Sequence, residues 1–108
     1  MYEKENEARA EKIQWMVGKC FKFTDRTSTE EWDEYAMVID VTPDGIDFIH
    51  VMTARSNFGV GEGHAGIERT NWSLGMEETY LNKDTQVSEE DFIDAFNDTM
   101  RAINKGRK

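Results

Sequence analysis

Gly61-Glu62-Gly63-His64-Ala65-Gly66 has the glycine spacing of a dinucleotide-binding loop. That chemistry needs a strand before the loop and a helix after it, so that the helix N-terminus meets the pyrophosphate. Here Ile67 to Ser73 reads as extended, no βαβ unit surrounds the motif, and Glu62 would repel phosphate. No Gly-Lys-Ser/Thr follows, which excludes a Walker A loop. Asp40-x-Thr42-x-Asp44-Gly45 opens like a calcium loop, but its twelfth position is Val51, where a bidentate glutamate is required. Pro43 and the β-type flanks favour a hairpin turn instead. Neither His50 nor His64 has a second His or a Cys at metal-ligand spacing. Cys20 has Lys19 and Lys22 nearby and no other activating neighbour, and a buried apolar cysteine is the commoner role. The Ser, His and Asp residues form no nucleophile–base arrangement, and the carboxylates are too numerous to single out an acid and a base. These observations predict no catalytic residue, no metal ligand set and no cofactor site, so the chain is expected not to be an enzyme.

The charge pattern carries more information. The formal net charge is -9, from 22 Asp and Glu against 13 Lys and Arg. Asp25 to Asp47 holds eight acidic residues and one basic residue, Arg26; Asp84 to Asp98 holds six acidic residues and no Lys or Arg. Such a chain lacks the basic footprint that binding to a phosphate backbone needs, and it would be repelled by an anionic membrane. It suits a protein partner with a basic surface, including one that normally holds nucleic acid. The competing reading is that the charge only maintains solubility. Within the first block, Glu30, Glu31, Trp32, Asp33 and Glu34 place an aromatic among four carboxylates. An aromatic anchor inside a charged rim has the composition of a protein-binding hot spot, unless Trp32 folds back onto the core. Phe58, in the glycine-rich stretch, is the second candidate for an exposed aromatic.

A chain of 108 residues fits a single domain, 1–108. Leu, Ile, Val and Phe account for 21 of these residues, near the composition of disordered chains. Three Trp, three Tyr and six Met, clustered with the aliphatic residues, argue for a packed core. A lone cysteine permits no internal disulfide and fits a reducing cytosol. Met1 to Lys12 has no apolar signal region, and no apolar run reaches 18 residues, so a cytoplasmic protein without a membrane segment is expected.

The elements follow from periodicity. Ala10, Ile13, Met16 and Val17 recur at helical spacing, predicting a helix over 2–17 that is polar and prone to fraying at 1–8 and stops at Gly18. Phe21 and Phe23 alternate with polar residues, predicting a strand over 19–24 and then a polar loop over 25–33. Tyr35–Val41 and Ile46–Met52 flank Thr42-Pro43-Asp44-Gly45, a hairpin in which Ile46, Phe48, His50 and Met52 share one face, and Asp47, Ile49, Val51 and Thr53 the other. Residues 55–66 read as a flexible glycine-rich loop, and 67–73 and 76–81 as two further strands. Ser88 as N-cap, Asp91 three residues on, and Val87 with Phe92 as a hydrophobic staple predict a helix over 88–104 with a stripe of Phe92, Phe96, Met100 and Ile103. The expected fold is α+β: an N-terminal helix, about five antiparallel strands in a small bent sheet or SH3-like barrel, and a C-terminal helix.

Three stretches, Gly-Lys-Cys-Phe-Lys-Phe (18–23), the Trp-x-x-Tyr segment leading into the hairpin (32–49) and Val-Ser-Glu-Glu-Asp-Phe-Ile-Asp-Ala-Phe (87–96), resemble small uncharacterised proteins of tailed bacteriophages and prophages. The resemblance covers about half the chain. It implies a setting, the bacterial cytoplasm during infection, and a β-rich domain closed by a helix; it carries over no functional residue. The leading expectation is a non-enzymatic, phage-type accessory protein that binds a host protein, with charge mimicry of nucleic acid against a nucleic-acid-binding or defence factor as its mode. The alternatives are a homo-oligomeric or virion-associated structural module, and a small-ligand domain closed by 55–66 with Phe58 and His64 as contacts.

Overall fold

A computed structural model describes residues 2–26, 28, 30–53, 56–57 and 65–105. Phe58, His64 and most of the glycine-rich motif therefore lie outside the described residues. In chain order the elements are α1 (Tyr2–Lys12), a 3₁₀ turn (Gln14–Met16), β1 (Cys20–Arg26), β2 (Glu30–Thr42), β3 (Gly45–Met52), β4 (Ser56–Asn57), β5 (Gly66–Trp72), α2 (Glu77–Tyr80), β6 (Gln86–Val87) and α3 (Glu89–Lys105). The antiparallel sheet runs β5-β3-β2-β1-β6, with the two-residue β4 joining β2 at Glu30 and Glu31. β5 and β6 are the ends of this path, so the sheet is open and is not a closed SH3-like barrel. The α+β class with helices at both termini is as the sequence predicts.

The pleat sorts the apolar residues onto two faces. One face collects Phe21, Ala36, Val38, Val41, Ile46 and Phe48 beneath Ala10, Met16 and Leu81 from the helical segments on that side. The other collects Cys20, Tyr35, Met37, Ile49, Val51 and Ile67 beneath Phe92 and Phe96 of α3. Val38 and Val41 would point oppositely in a regular strand. The register shift between Val38 and Asp40 inserts an extra residue, which returns Val41 to the inner side and leaves Ile39 37% exposed. The β2–β3 turn is as expected: Asp44 N–H donates to Thr42 Oγ1 at 3.1 Å, and Gly45 holds φ +144. A Cβ there would lie 2.5 Å from the Trp72 carbonyl oxygen and against the Asn71 side chain, so only glycine lets β3 approach β5.

Four predicted segments differ. The helix expected over 2–17 ends at Lys12 and gives way to the 3₁₀ turn. Most of the expected loop over 25–33 is strand: Asp25 pairs with Trp32, and Arg26 with Glu31. This end of the β1–β2 hairpin is strongly polar and lacks apolar alternation, and polar cross-strand pairs hold it instead. Thr24 Oγ1 donates to Asp33 Oδ1 at 2.8 Å, and Lys22 Nζ stands 3.9 Å from Asp33 Oδ2. The expected strand over 76–81 is the short helix α2. Glu77 Oε1 accepts the Gly75 N–H at 2.5 Å, and Arg9 Nη2 donates to Glu78 Oε1 at 2.6 Å, so carboxylates that dilute a strand pattern anchor a helical turn. The glycine-rich stretch is also shorter than expected, since Ser56–Asn57 and Gly66 belong to strands.

α3 begins where Ser88 predicts, with Ser88 Oγ accepting the Asp91 N–H at 3.1 Å. Its inner line differs from the predicted stripe. Phe92, Ala95 and Thr99 are buried, while Met100 is 38% exposed. Ala95, Thr99 and Ala102 are small and recur at i, i+4 and i+7. They let the helix lie close to the sheet and leave unfilled space beside it.

An acidic groove between α3 and β2

That space is a groove of ≈ 400 Å³ lined by Asp33 and Tyr35 of β2, Thr53 after β3, and Asp91, Asp94, Ala95, Asp98, Thr99 and Ala102 of α3. It is where the two acidic blocks of the sequence meet. Helix periodicity places Asp91, Asp94 and Asp98 along one side, at i, i+3 and i+7. Strand periodicity places Asp33 and Tyr35 on the same side of β2. A cluster of backbone and hydroxyl contacts fixes Asp33: its N–H donates to Thr53 Oγ1 at 3.2 Å, and its carbonyl accepts from Thr53 N–H at 3.0 Å and Thr53 Oγ1 at 2.9 Å. Asp98 Oδ1 accepts from Arg101 Nη1 at 2.5 Å, an exposed pair worth little because solvent screens it. Like charges at i, i+4-type spacing on a helix repel by roughly 0.2–0.5 kcal/mol per pair, so the acidic line costs stability unless a cation relieves it.

The protein already places a cation at this edge. Lys22 Nζ lies 5.8 Å from the centre of the Tyr35 ring as well as beside Asp33. Among the described residues no group of three or more His, Cys, Asp or Glu side chains is placed to hold a metal ion. The carboxylates line a wall rather than converge on a point, which suits a cation larger than a bare ion. Thr99 is 2% exposed, and its Oγ1 has no hydrogen-bond partner.

The sequence-predicted site divides across the sheet. Trp32 and Glu34 lie on the opposite side of β2 from Asp33, because successive strand residues alternate. Glu34 is 6% exposed and is no part of an acidic surface. Its Oε1 is 2.5 Å from His50 Nε2, and its Oε2 accepts from Trp32 Nε1 at 3.2 Å. Trp32 thus donates to a buried carboxylate and is half-buried rather than a free anchor in an acidic rim. His50 packs parallel to the Phe23 ring and meets Phe48 and Trp72 edge-on. Glu68 Oε1 stands 3.9 Å from its Nδ1. Glu31 pairs with Arg26 and Ser56 in the sheet, and Glu30 pairs through its backbone with Asn57. Among the described side chains of the predicted cluster, only Asp33 lines the groove.

The residues missed by sequence reasoning are Asp91, Asp94, Asp98 and Thr99. The signal was present: the acids of the second block fall at helical spacing beside the apolar stripe. Cys20 is buried, and burial pushes its thiol up to about 11, with the negative charge of Glu89 adding to the effect. Arg69 donates to Asp47 across β3 and β5 and holds the Asp47 carboxyl below its usual range.

Fold and groove together define an open antiparallel sheet with helices on both faces and an anionic groove under the C-terminal helix. Comparison with protein-family models, curated proteins and solved structures gives no match to this chain. No helix among the described residues is long and apolar enough to cross a membrane.

Proposed function

We propose that this chain is a non-enzymatic binding protein that engages a basic surface of a partner protein through the groove between α3 and β2. One observation carries the reading: acids from two blocks far apart in sequence, Asp33 on one side and Asp91, Asp94 and Asp98 on the other, line a single groove. Converging charge of one sign raises the local concentration of an oppositely charged partner and speeds encounter. A partner that normally holds nucleic acid presents such a surface, and a phage-type accessory protein that mimics nucleic-acid charge in the bacterial cytoplasm fits the chain's resemblance. The test uses the wild-type protein and an Asp33→Asn/Asp94→Asn/Asp98→Asn variant as baits in bacterial lysate, at low and moderate salt. The reading expects basic proteins on the wild-type bait, lost with salt and absent from the variant. Equal capture by both baits would overturn it.

A second reading, a homo-oligomeric module, draws on the other face. A groove of ≈ 620 Å³ there is lined by Ile13, Trp15, Met16 and Leu81 within a charged border, and Trp15 is 37% exposed. Size-exclusion chromatography with light scattering addresses it: a stable oligomer with quenched solvent access at Trp15 favours this reading, and a monomer at micromolar concentration counts against it.

A further inference from the structure

We infer that His50 and Met52, with Glu68 at the mouth, form a site for a soft metal ion, copper(I), on the sheet face opposite the acidic groove. The site depends neither on the groove nor on the partner proposed for it.

The register of the sheet assembles the three side chains. His50 and Met52 stand two apart on β3 and so share a face. On β5, Glu68 lies opposite His50 and Gly66 opposite Met52. Gly66 carries no side chain, and a Cβ there would meet nothing within 4 Å. The space left beside it is a pocket of ≈ 200 Å³ lined by His50, Met52, Gly66, Ile67 and Glu68. An imidazole, a thioether and a carboxylate therefore border one small cavity.

His50 is set up as a ligand. It is 8% exposed, and its Nε2 is 2.5 Å from Glu34 Oε1. The other oxygen of Glu34 accepts the Trp32 indole N–H at 3.2 Å. A carboxylate placed this way takes the imidazole N–H at Nε2 and leaves the lone pair on Nδ1. Phe23 stacks on the ring, and Phe48 and Trp72 meet it edge-on, so its plane is held. Nδ1 makes no hydrogen bond among the described residues and faces Glu68 Oε1 at 3.9 Å on the pocket wall. Metal-binding histidines share this arrangement, with one ring nitrogen on a carboxylate and the other on the ion. An ion about 2 Å from each of two donors lets them stand up to about 4 Å apart, so Nδ1 and Glu68 are close enough to share one. The thioether selects the metal. Soft sulfur favours copper(I), which imidazole also accepts, whereas magnesium and calcium seek several oxygens and would find one carboxylate. The chain's thiol, Cys20, is buried on the other face against Val51 and Phe92.

Competition for copper(I) against a chromophoric chelator, under anaerobic reducing conditions, tests the site. Zinc(II) is the second probe, and each variant is verified as folded by circular dichroism. Wild type, Cys20→Ala and Asp33→Asn/Asp94→Asn/Asp98→Asn are expected to bind one equivalent of copper(I), in preference to zinc. His50→Gln is expected to lose binding, and Met52→Leu, which conserves volume, to lose the preference over zinc. Glu68→Gln is expected to weaken binding by about two- to fivefold, as loss of an exposed charge does. Silver(I), a redox-stable stand-in, is expected to shift the His50 Nδ1 and Met52 methyl signals of wild type in nuclear magnetic resonance spectra. That readout stands even if His50→Gln does not fold. Copper(I) held equally by wild type and Met52→Leu, or no silver shift at His50 Nδ1, would overturn the site. Loss of binding in Cys20→Ala or in the triple variant would move the ion to the thiol or to the groove, and would equally overturn it. Zinc bound more tightly than copper(I) by wild type would overturn the choice of metal, and unchanged binding in Glu68→Gln the place of that carboxylate.

Discussion

Thr99→Val is predicted to make this protein more stable. Valine replaces the Thr99 hydroxyl with a methyl group of nearly the same volume. The two residues have similar helix propensity, so the helix itself is little affected. The side chain is 2% exposed and its oxygen has no partner, so the wild-type fold carries an uncompensated desolvation of about 1–3 kcal/mol. The change removes that cost and adds a buried methyl. A gain of about 1 kcal/mol is a conservative expectation, and in a domain of this size it raises Tm by roughly 4 °C. Thermal unfolding by circular dichroism, with urea titration as a second measure, reads the effect. Thr99→Ser keeps the hydroxyl, loses a buried methyl and is expected to move Tm down. An unchanged or lower Tm in Thr99→Val would show that the hydroxyl already has a partner.

Three further outcomes follow from other parts of the fold. Glu34→Ala leaves His50 and the Trp32 indole N–H without their shared carboxylate, and is expected to cost about 3 kcal/mol in urea unfolding; a cost below about 1 kcal/mol would mean that the pair is not formed. Gly45→Ala imposes a side chain at φ +144 against Asn71 and Trp72, a backbone penalty alone of about 1–3 kcal/mol, measurable as a lowered urea midpoint. Cys20 has a thiol raised from 9.0 to about 11, so the folded state holds its proton more tightly than the unfolded chain does. Its contribution to stability is fully present below about pH 9 and is lost as pH rises through about 11. Cys20→Ala should show a shallower fall in stability over that window, and a thiol reagent at neutral pH should react with wild-type Cys20 only slowly.

The sequence made some elements legible and hid others for physical reasons. The β2–β3 hairpin and the start of α3 could be read because turn chemistry at Pro43-Asp44-Gly45 and capping at Ser88 are local, and both are in place. The continuation of β1 and β2 through Asp25 and Glu31 was not legible, since a polar hairpin arm has no buried face to impose alternation. α2 was hidden because a helix of four residues, Glu77–Tyr80, carries too little periodicity, and its anchor is a partner far away in sequence, Arg9. The site behaved similarly. The acidic blocks were evident, but which acids share a surface depends on the pleat of β2 and the approach of α3. That is why Asp33 and Asp94 meet, and why Glu34, adjacent to Asp33, ends up buried against His50 on the other side.

The central claim is that the two acidic blocks act as one binding surface. Amide chemical-shift mapping of the isotopically labelled protein against a lysine-rich peptide, at low and moderate salt, tests it most directly. The account predicts shifts concentrated at Asp33, Tyr35, Thr53, Asp94, Asp98 and Thr99, saturating at low salt and receding as salt is added. Shifts confined to the Ile13–Trp15–Leu81 face, or none at the groove at low salt, would contradict it.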